Sequence, residues 1–462
     1  MVNNKFHTQH IILVSIDTLR ADCINASPRA KDYLSKYQTK TTLKTGSLDS
    51  IVRSSLYYDN CYSAAPYTSA SHAAYFTGRL PLHNGIYEFF NRKLIEPTIF
   101  EYSKKQGYKT IFQTDFPIIL GHPLGFTKGI DHYFIENEDK AFKALVDNKC
   151  NNTLSFFHFG GVHYPYGFHT LKFGGKDYIK KINMLEKKYR ISSKTRGELD
   201  DVLNETYRNK QDTELLLRYK YIIFEKLYKL GLYDELFGMY LEGINYFLEH
   251  RFNKFIMKIK NFVDKHNALL FIFSDHGEEW DAFSEGHHNT LSDNVLRVPL
   301  MVYGNQIQPR IEKRLVRTID LAPTIIDLLP NNIRTNLDGV KLDIFNSNGK
   351  EVKAQYAISQ VYTSIATKKQ TARYQNMSIK KNKTVKPLDT YLSGEVIRTK
   401  DRKLLVYYYK NGSVRKKEIQ GNATDLKKIL IKYNSDRNSG RKTLSKIKSK
   451  IRNELNNLGY NV

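Results

Sequence analysis

The sequence predicts an α/β protein: a mostly parallel sheet flanked by helices, with a smaller C-terminal α+β subdomain. Three observations carry that prediction. Short apolar runs rich in branched and aromatic residues recur along the chain; longer stretches of helical spacing separate them; and the pattern changes after about residue 346.

Each element has a local reason. IILVSI (Ile11–Ile16), KTIFQT (Lys109–Thr114), TLSFFHF (Thr153–Phe159), ALLFIFS (Ala268–Ser274) and VPLMVYG (Val298–Gly304) are short and largely apolar. Strands that read this way suit a sheet covered on both faces. Leu241–His266 repeats its apolar residues at helical spacing. Alternation of the two kinds argues for α/β. The charged, helical stretch 176–236 reads as an insertion between two strands. These parts make a catalytic domain over 1–345, and 346–462 forms the subdomain. There, Gly394–Gln420 reads as a hairpin turning at Lys410-Asn411-Gly412, followed by a basic helix. KKNKTVKP, from Lys380, reads as a loop.

The 462 residues are 41% hydrophobic with a formal net charge of +25. Mean hydropathy is −0.51 and the pI about 9.6. That composition excludes a disordered chain. No apolar run reaches the ~20 residues that span a bilayer. The N-terminal apolar run stops at once in Asp17 and Arg20, which fits a core strand better than a signal peptide. Cys23, Cys61 and Cys150 are too widely spaced for a disulfide framework or zinc cluster. The expected location is the cytoplasm, with peripheral contact at a membrane surface as the alternative. The basic charge, concentrated in part in Lys380–Lys386 and Lys427–Arg452, implies anionic partners.

Open α/β sheets bind ligands at the carboxyl ends of their strands. The first strand ends in Asp17, the third leads to His163, and the fourth ends in Asp275-His276, with His287 and His288 close behind. Two carboxylates and several imidazoles at one edge suit zinc or manganese better than calcium. Any one of them alone is a turn residue or a core histidine. A nucleophile candidate comes from APYTSASHAAYFTGR, where a helix ending at Gly78 would place Thr68 at its N-terminus. The alternative for Thr68 is a helix cap.

In order along the chain, IILVSIDTLRAD, TSASHAAYFTGRLPLHNGIY, GYKTIF with GFTKGIDHYF, SDHGEEW with GHHNTLSDNVLRVPLMVYG, and TIDLAPTIIDLL resemble the sulfatase-like branch of the alkaline phosphatase superfamily. The resemblance covers about Ile11–Leu342. It implies a metal-dependent ester hydrolase or phosphoryl-group transferase. Four positions depart from the sulfatase pattern, one being Ala70 in place of a proline. Thr68 stands where sulfatases carry the Cys or Ser oxidised to formylglycine, and threonine cannot give that aldehyde. His72 replaces an arginine, and Thr18 replaces the second Asp of a pair. These departures point to the phosphorus-handling relatives: phosphoglycerol and phosphoethanolamine transferases, and phosphodiesterases with a Thr nucleophile. VHYPYG, with His163, also resembles a loop of the phosphoglycerol transferases.

The resemblance implies a divalent metal ion on Asp17, Thr68, Asp275 and His276. Zinc or manganese comes first, with calcium or magnesium as alternatives, and one or two ions per chain. Thr68 would attack a phosphate ester and form a phospho-threonine. His163 and His287 would bind the phosphate, protonate the leaving group or hold a second metal. His72 would contact substrate or pack beside the site. His288 reads as a supporting or surface residue, Asp115 as a weaker site candidate, and Arg79 and Arg297 as structural. Glu278, Glu279 and Asp281 would screen a metal site or, as the expected reading, form a solvated loop. The substrate would be an anionic ester on a glycan, polymer or lipid headgroup. Two other readings remain: a sulfuric ester hydrolase working without formylglycine, and a non-catalytic basic protein binding nucleic acid or acidic polymer.

Overall fold

A computed structural model describes residues 8–89, 92–168, 171–192, 210–331, 333–345, 354–364 and 389–435. Among these, strands β1 (His10–Ile16), β2 (Leu56–Tyr62), β3 (Lys109–Thr114), β4 (His132–Ile135), β5 (Thr153–Phe159) and β6 (Ala268–Phe273) precede a short hairpin of β7 (Glu279–Asp281) and β8 (Ser284–Gly286). Next come β9 (Arg297–Tyr303) and β10 (Arg310–Arg317). The central sheet runs β10-β2-β9-β6-β1-β5-β3-β4. Every pairing is parallel except those of β9 with β2 and β6. All five predicted strands are present. β2, β4 and β10 add to that set. β2 carries Asp59 and Asn60, and β4 and much of β10 are only partly buried, so none reads as an apolar run.

Alternation along the strands divides the core in two. Ile11 and Leu13, Leu154 and Phe156, and Leu269, Phe271 and Phe273 face one side, where the helix Thr68–Thr77 packs Ala70, Ala73, Tyr75 and Phe76 against them. Ile12, Val14, Phe157, Leu270 and Ile272 face the other. That second face is covered by the long segment between β5 and β6. Its helices Lys210–Lys220, Tyr233–Phe247 and Asn253–Lys265 bury Leu215, Phe237 and Ile256, among others. The predicted helix over 241–266 is continuous, with a π-helical turn at Leu248–Phe252.

The small sheet has the order β11 (Ala357–Ser364), β12 (Thr390–Arg398), β13 (Lys403–Tyr408), β14 (Val414–Gln420), all antiparallel. The expected hairpin over 394–420 therefore holds three strand segments. Thr399–Arg402 makes the additional turn, closed by Thr399 N–H donating to Arg402 O. The helix Thr424–Ser435 packs Leu426 and Leu430 on this sheet. The other side of the sheet joins the main core through Val361, Val396 and Leu405. The loop at Lys380 and the end of the basic stretch lie outside the described residues.

Candidate metal and nucleophile centre

β6, β1, β5 and β3 are parallel neighbours, so their carboxyl ends share one edge. The two-residue period fixes which side chains meet there. Asp17 and Asp275 continue the sequence parity of Leu13 and Phe273, and His158 that of Phe156. All three belong to the face covered by the helix Thr68–Thr77, and Thr68 arrives from that helix's first residue.

Thr68 is not a cap. The N-cap is Tyr67, and no side chain caps the helix start. The Thr68 hydroxyl instead donates to Asp17 Oδ2 at 3.1 Å and lies 3.4 Å from His276 Nε2. His276 Nε2 is 3.3 Å from Asp275 Oδ2 and 3.7 Å from Asp17 Oδ1. Asp17, Asp275 and His276 each offer a donor atom within 4.8 Å of the others. All four side chains are buried.

This set fits a divalent cation. Asp275 Oδ1 accepts from the N–H groups of Thr18 and His276, but its Oδ2 is buried without a hydrogen-bond partner. Burial, then the charge of Asp17, pushes the Asp275 carboxyl well above the usual range. Burial would raise Asp17 as well; the His158 hydrogen bond and the nearby imidazoles overcome that and hold it low. Two buried carboxylates with one orphaned oxygen make a poor resting arrangement without a positive charge between them. His276 Nδ1 lies 3.1 Å from Gly277 O, which can only accept, so neutral His276 presents Nε2 as a bare ligand atom.

Gly277 is required for space. A Cβ there would meet Asn294 O at 2.2 Å, where Gly277 N–H also donates to Val295 O. Thr18, in place of a second Asp, has φ 66°. Its hydroxyl donates to Asp17 Oδ1 at 2.6 Å and its N–H to Asp275, so it braces both carboxylates.

A second group lies beside the first. His163, His287 and His288 offer ring nitrogens within 4.8 Å of one another. His287 stacks on His276 with ring centroids 4.2 Å apart. Its Nδ1 is 3.1 Å from Glu278 Oε1, and its Nε2 is buried without a partner. Burial holds His163 down to about 4 and pushes His287 low as well, so both are neutral near pH 7. His288 belongs to this cluster rather than standing apart from it.

Other residues differ from the sequence reading. His72 is fully buried beneath Thr68, with Nδ1 2.8 Å from Thr68 O and Nε2 2.9 Å from Ser15 Oγ. Both nitrogens are taken by protein groups, which leaves none for substrate; the ring braces the first helical turn. Glu278 and Glu279 are buried, not solvated. Glu278 meets His287 and the Tyr166 hydroxyl, while Lys36 pairs with Glu279 and Asp281. Asp115 faces Arg251 in a buried ion cluster with Glu138 and accepts from Gly160 N–H. It braces the β5 exit. Arg79 pairs with Asp338, and Arg297 bonds Tyr62.

His158 is absent from the residues the sequence singles out. It is fully buried, its Nε2 3.1 Å from Asp17 Oδ2 and its Nδ1 3.3 Å from Thr114 Oγ1. The available signal is parity, since His158 shares a sheet face with Asp17.

A family model described as Sulfatase matches residues 9–331. The chain belongs to the sulfatase family. That places it among ester hydrolases of the alkaline phosphatase superfamily, against the non-catalytic reading. Sulfatase-family enzymes use a divalent metal ion. No curated protein matches the sequence. A solved structure in complex with its substrate D-glucosamine-2-N,6-O-disulfate has a TM-score of 0.58 at 15% identity, covering 98% of this chain and 97% of that one. A phosphonate monoester hydrolase from Silicibacter pomeroyi has a TM-score of 0.58 at 15% identity, covering 95% and 97%. That of Agrobacterium radiobacter has 0.54 at 13%, covering 93% and 94%. At such identities the likeness is one of fold. No helix among the described residues is long and apolar enough to cross a membrane.

Proposed function

We propose that this sulfatase-family protein cleaves phosphate esters with Thr68 as its nucleophile, passing the phosphoryl group to water or an alcohol. The observation that carries the reading is the Thr68 hydroxyl, 3.1 Å from Asp17 and 3.4 Å from His276, unused as a helix cap. Asp17, Thr68, Asp275 and His276 would hold the cation, with zinc or manganese favoured by the mixed oxygen and imidazole donors. When bound, that cation supplies Lewis acidity to ionise the Thr68 hydroxyl and neutralise the non-bridging oxygens of the ester.

The chain's own residues do the rest. Thr68 Oγ attacks phosphorus in line; the Oγ–P bond forms as the bond to the leaving oxygen breaks. The leaving oxygen takes its proton from solvent. Water or an alcohol then attacks the phospho-threonine and restores the hydroxyl. His72 and His158 keep Thr68 and Asp17 in place. The depressed His163 and His287 are poor standing acids. They suit a second cation, together with His288, or hydrogen bonds to the substrate anion.

The substrate is an anionic ester carried on a glycan, polymer or lipid headgroup, drawn in by the chain's +25 charge. The test is a panel of chromogenic phosphate monoesters, phosphate diesters and sulfate esters, run on chelated protein resupplied with single divalent metals. Metal-restored turnover of a phosphate ester is expected. Turnover of sulfate esters alone would replace this reading with a sulfatase that dispenses with formylglycine. Turnover indifferent to chelation would remove the metal from it.

A further inference from the structure

The long segment between β5 and β6 covers the sheet and also reaches the rim of the site. The helix Lys210–Lys220 passes directly into π-helical turns over Tyr221–Tyr228. Such turns are rare and are frequent at functional sites. Here the turns pack against Tyr164, beyond β5, and Trp280 of β7, two segments that lead to the imidazole cluster. Phe224 lies 5.6 Å from the Tyr164 ring and 5.7 Å from Trp280 between centroids, and Tyr228 lies 6.0 Å from Trp280. Tyr164 directly follows His163, and the two rings are 4.4 Å apart.

Lys220 stands at the junction of the two helical forms. Its neighbours Tyr219, Ile222 and Ile223 are fully buried, so its backbone is fixed. Lys220 itself is half-buried, with Nζ 5.7 Å from the Tyr164 ring centroid. The ammonium therefore sits one ring away from His163. Its charge reaches that imidazole, after burial and the larger neighbouring groups, and reaches His288 in the same subordinate way. A lysine on an ordinary solvated helix face would swing into bulk water; this one lies over the ring of Tyr164, the residue that follows His163.

Resting on the ester-cleaving reading above, we propose that Lys220 is a specificity-determining residue that binds a second anionic group of the substrate, beyond the ester undergoing cleavage. The favoured substrate class is then an ester whose leaving portion carries its own carboxylate, sulfate or phosphate. A charge-assisted contact held against a protein wall commonly changes affinity by about tenfold.

The experiment measures binding without turnover, by titration calorimetry in the Thr68→Ala background with manganese present. The ligands are phenyl phosphate and its three carboxyphenyl counterparts. Lys220→Ala and Lys220→Gln should each weaken at least one carboxyphenyl phosphate about tenfold while leaving phenyl phosphate within about twofold, and Lys220→Arg should restore most of the loss. Equal losses for all four ligands would overturn the proposal, because Lys220 would then act on the reacting phosphate. No loss for any ligand would overturn it as well. If phenyl phosphate itself fails to bind with Lys220 intact, the ester-cleaving reading fails first and the specificity role goes with it.

Discussion

Thr68 Oγ1 lies 3.1 Å from Asp17 Oδ2, although the two residues come from different elements, a helix start and a strand end. The contact exists because β1 lies next to β5 and β6, and because the helix Thr68–Thr77 lies across the face on which Asp17 projects. The sheet and the helix are rigid, buried elements, so the hydroxyl is delivered to the carboxylate at no further ordering cost.

Removing that hydroxyl should remove catalysis and one donor to the cation while leaving the fold intact. Thr68→Ala is expected to lower kcat by at least about a thousandfold while its thermal midpoint stays close to that of the parent, because nucleophile loss acts on the chemical step. Thr68→Ser should keep substantial activity. Steady-state kinetics with an aryl phosphate, paired with thermal unfolding, check both.

The carboxylate pair should destabilise the fold without metal and stabilise it with metal. Asp275 is held well above its ordinary range by burial, then by Asp17. Asp275→Asn relieves that conflict, so the chelated variant should be at least as stable as the chelated parent. Adding zinc or manganese should stabilise the parent, by about 2.7 kcal/mol at a hundred times its Kd, and leave Asp275→Asn nearly unmoved. Thermal unfolding with and without chelator reads the difference.

Arg251 makes a different kind of contribution. It bonds both Asp115 and Glu138 in the interior, and Asp115 also fixes Gly160 at the exit of β5. Arg251→Met strands two buried carboxylates and should cost about 3–5 kcal/mol. Combining it with Asp115→Asn and Glu138→Gln should recover part of that loss. Denaturant unfolding of the two variants distinguishes a stranded charge from simple loss of packing.

How much of this is legible in the sequence follows from the same physics. The strands that carry the site are apolar on both faces, and so they stand out: β1, β5 and β6 are buried along their whole length. Asp17, Asp275 and His276 are visible because a charge directly after such a run is conspicuous. β2 and β10 are hidden by their polar residues. His158 is hidden by the strand around it, since a histidine amid phenylalanines reads as core until its face is matched with that of Asp17. Glu278 misleads because acidic residues in a run usually mean solvent, whereas here Tyr166 and His287 take up its oxygens. His72 is visible from the sequence as a neighbour of the site, but that its ring braces the Thr68 carbonyl becomes legible only when the helix is placed on the sheet.

His10 offers a pH test away from the site. Burial, reinforced by His266, holds it down to about 4, below the ordinary value of 6.5. The folded protein therefore refuses a proton that the unfolded chain accepts. The stability contributed by neutral His10 is complete above pH 6.5 and is lost as the pH falls toward 4, at up to about 1.4 kcal/mol per pH unit. Chelated His10→Gln should show a shallower decline over that window than the chelated parent, measured by denaturant unfolding at a series of pH values.

The most direct measurement is acid-quenched mass spectrometry of the metal-loaded protein during turnover of an aryl phosphate. A phosphoryl group on the peptide containing Thr68, absent in Thr68→Ala and absent after chelation, is the predicted result. Turnover with no label at that residue, or a label that persists in Thr68→Ala, would contradict the account.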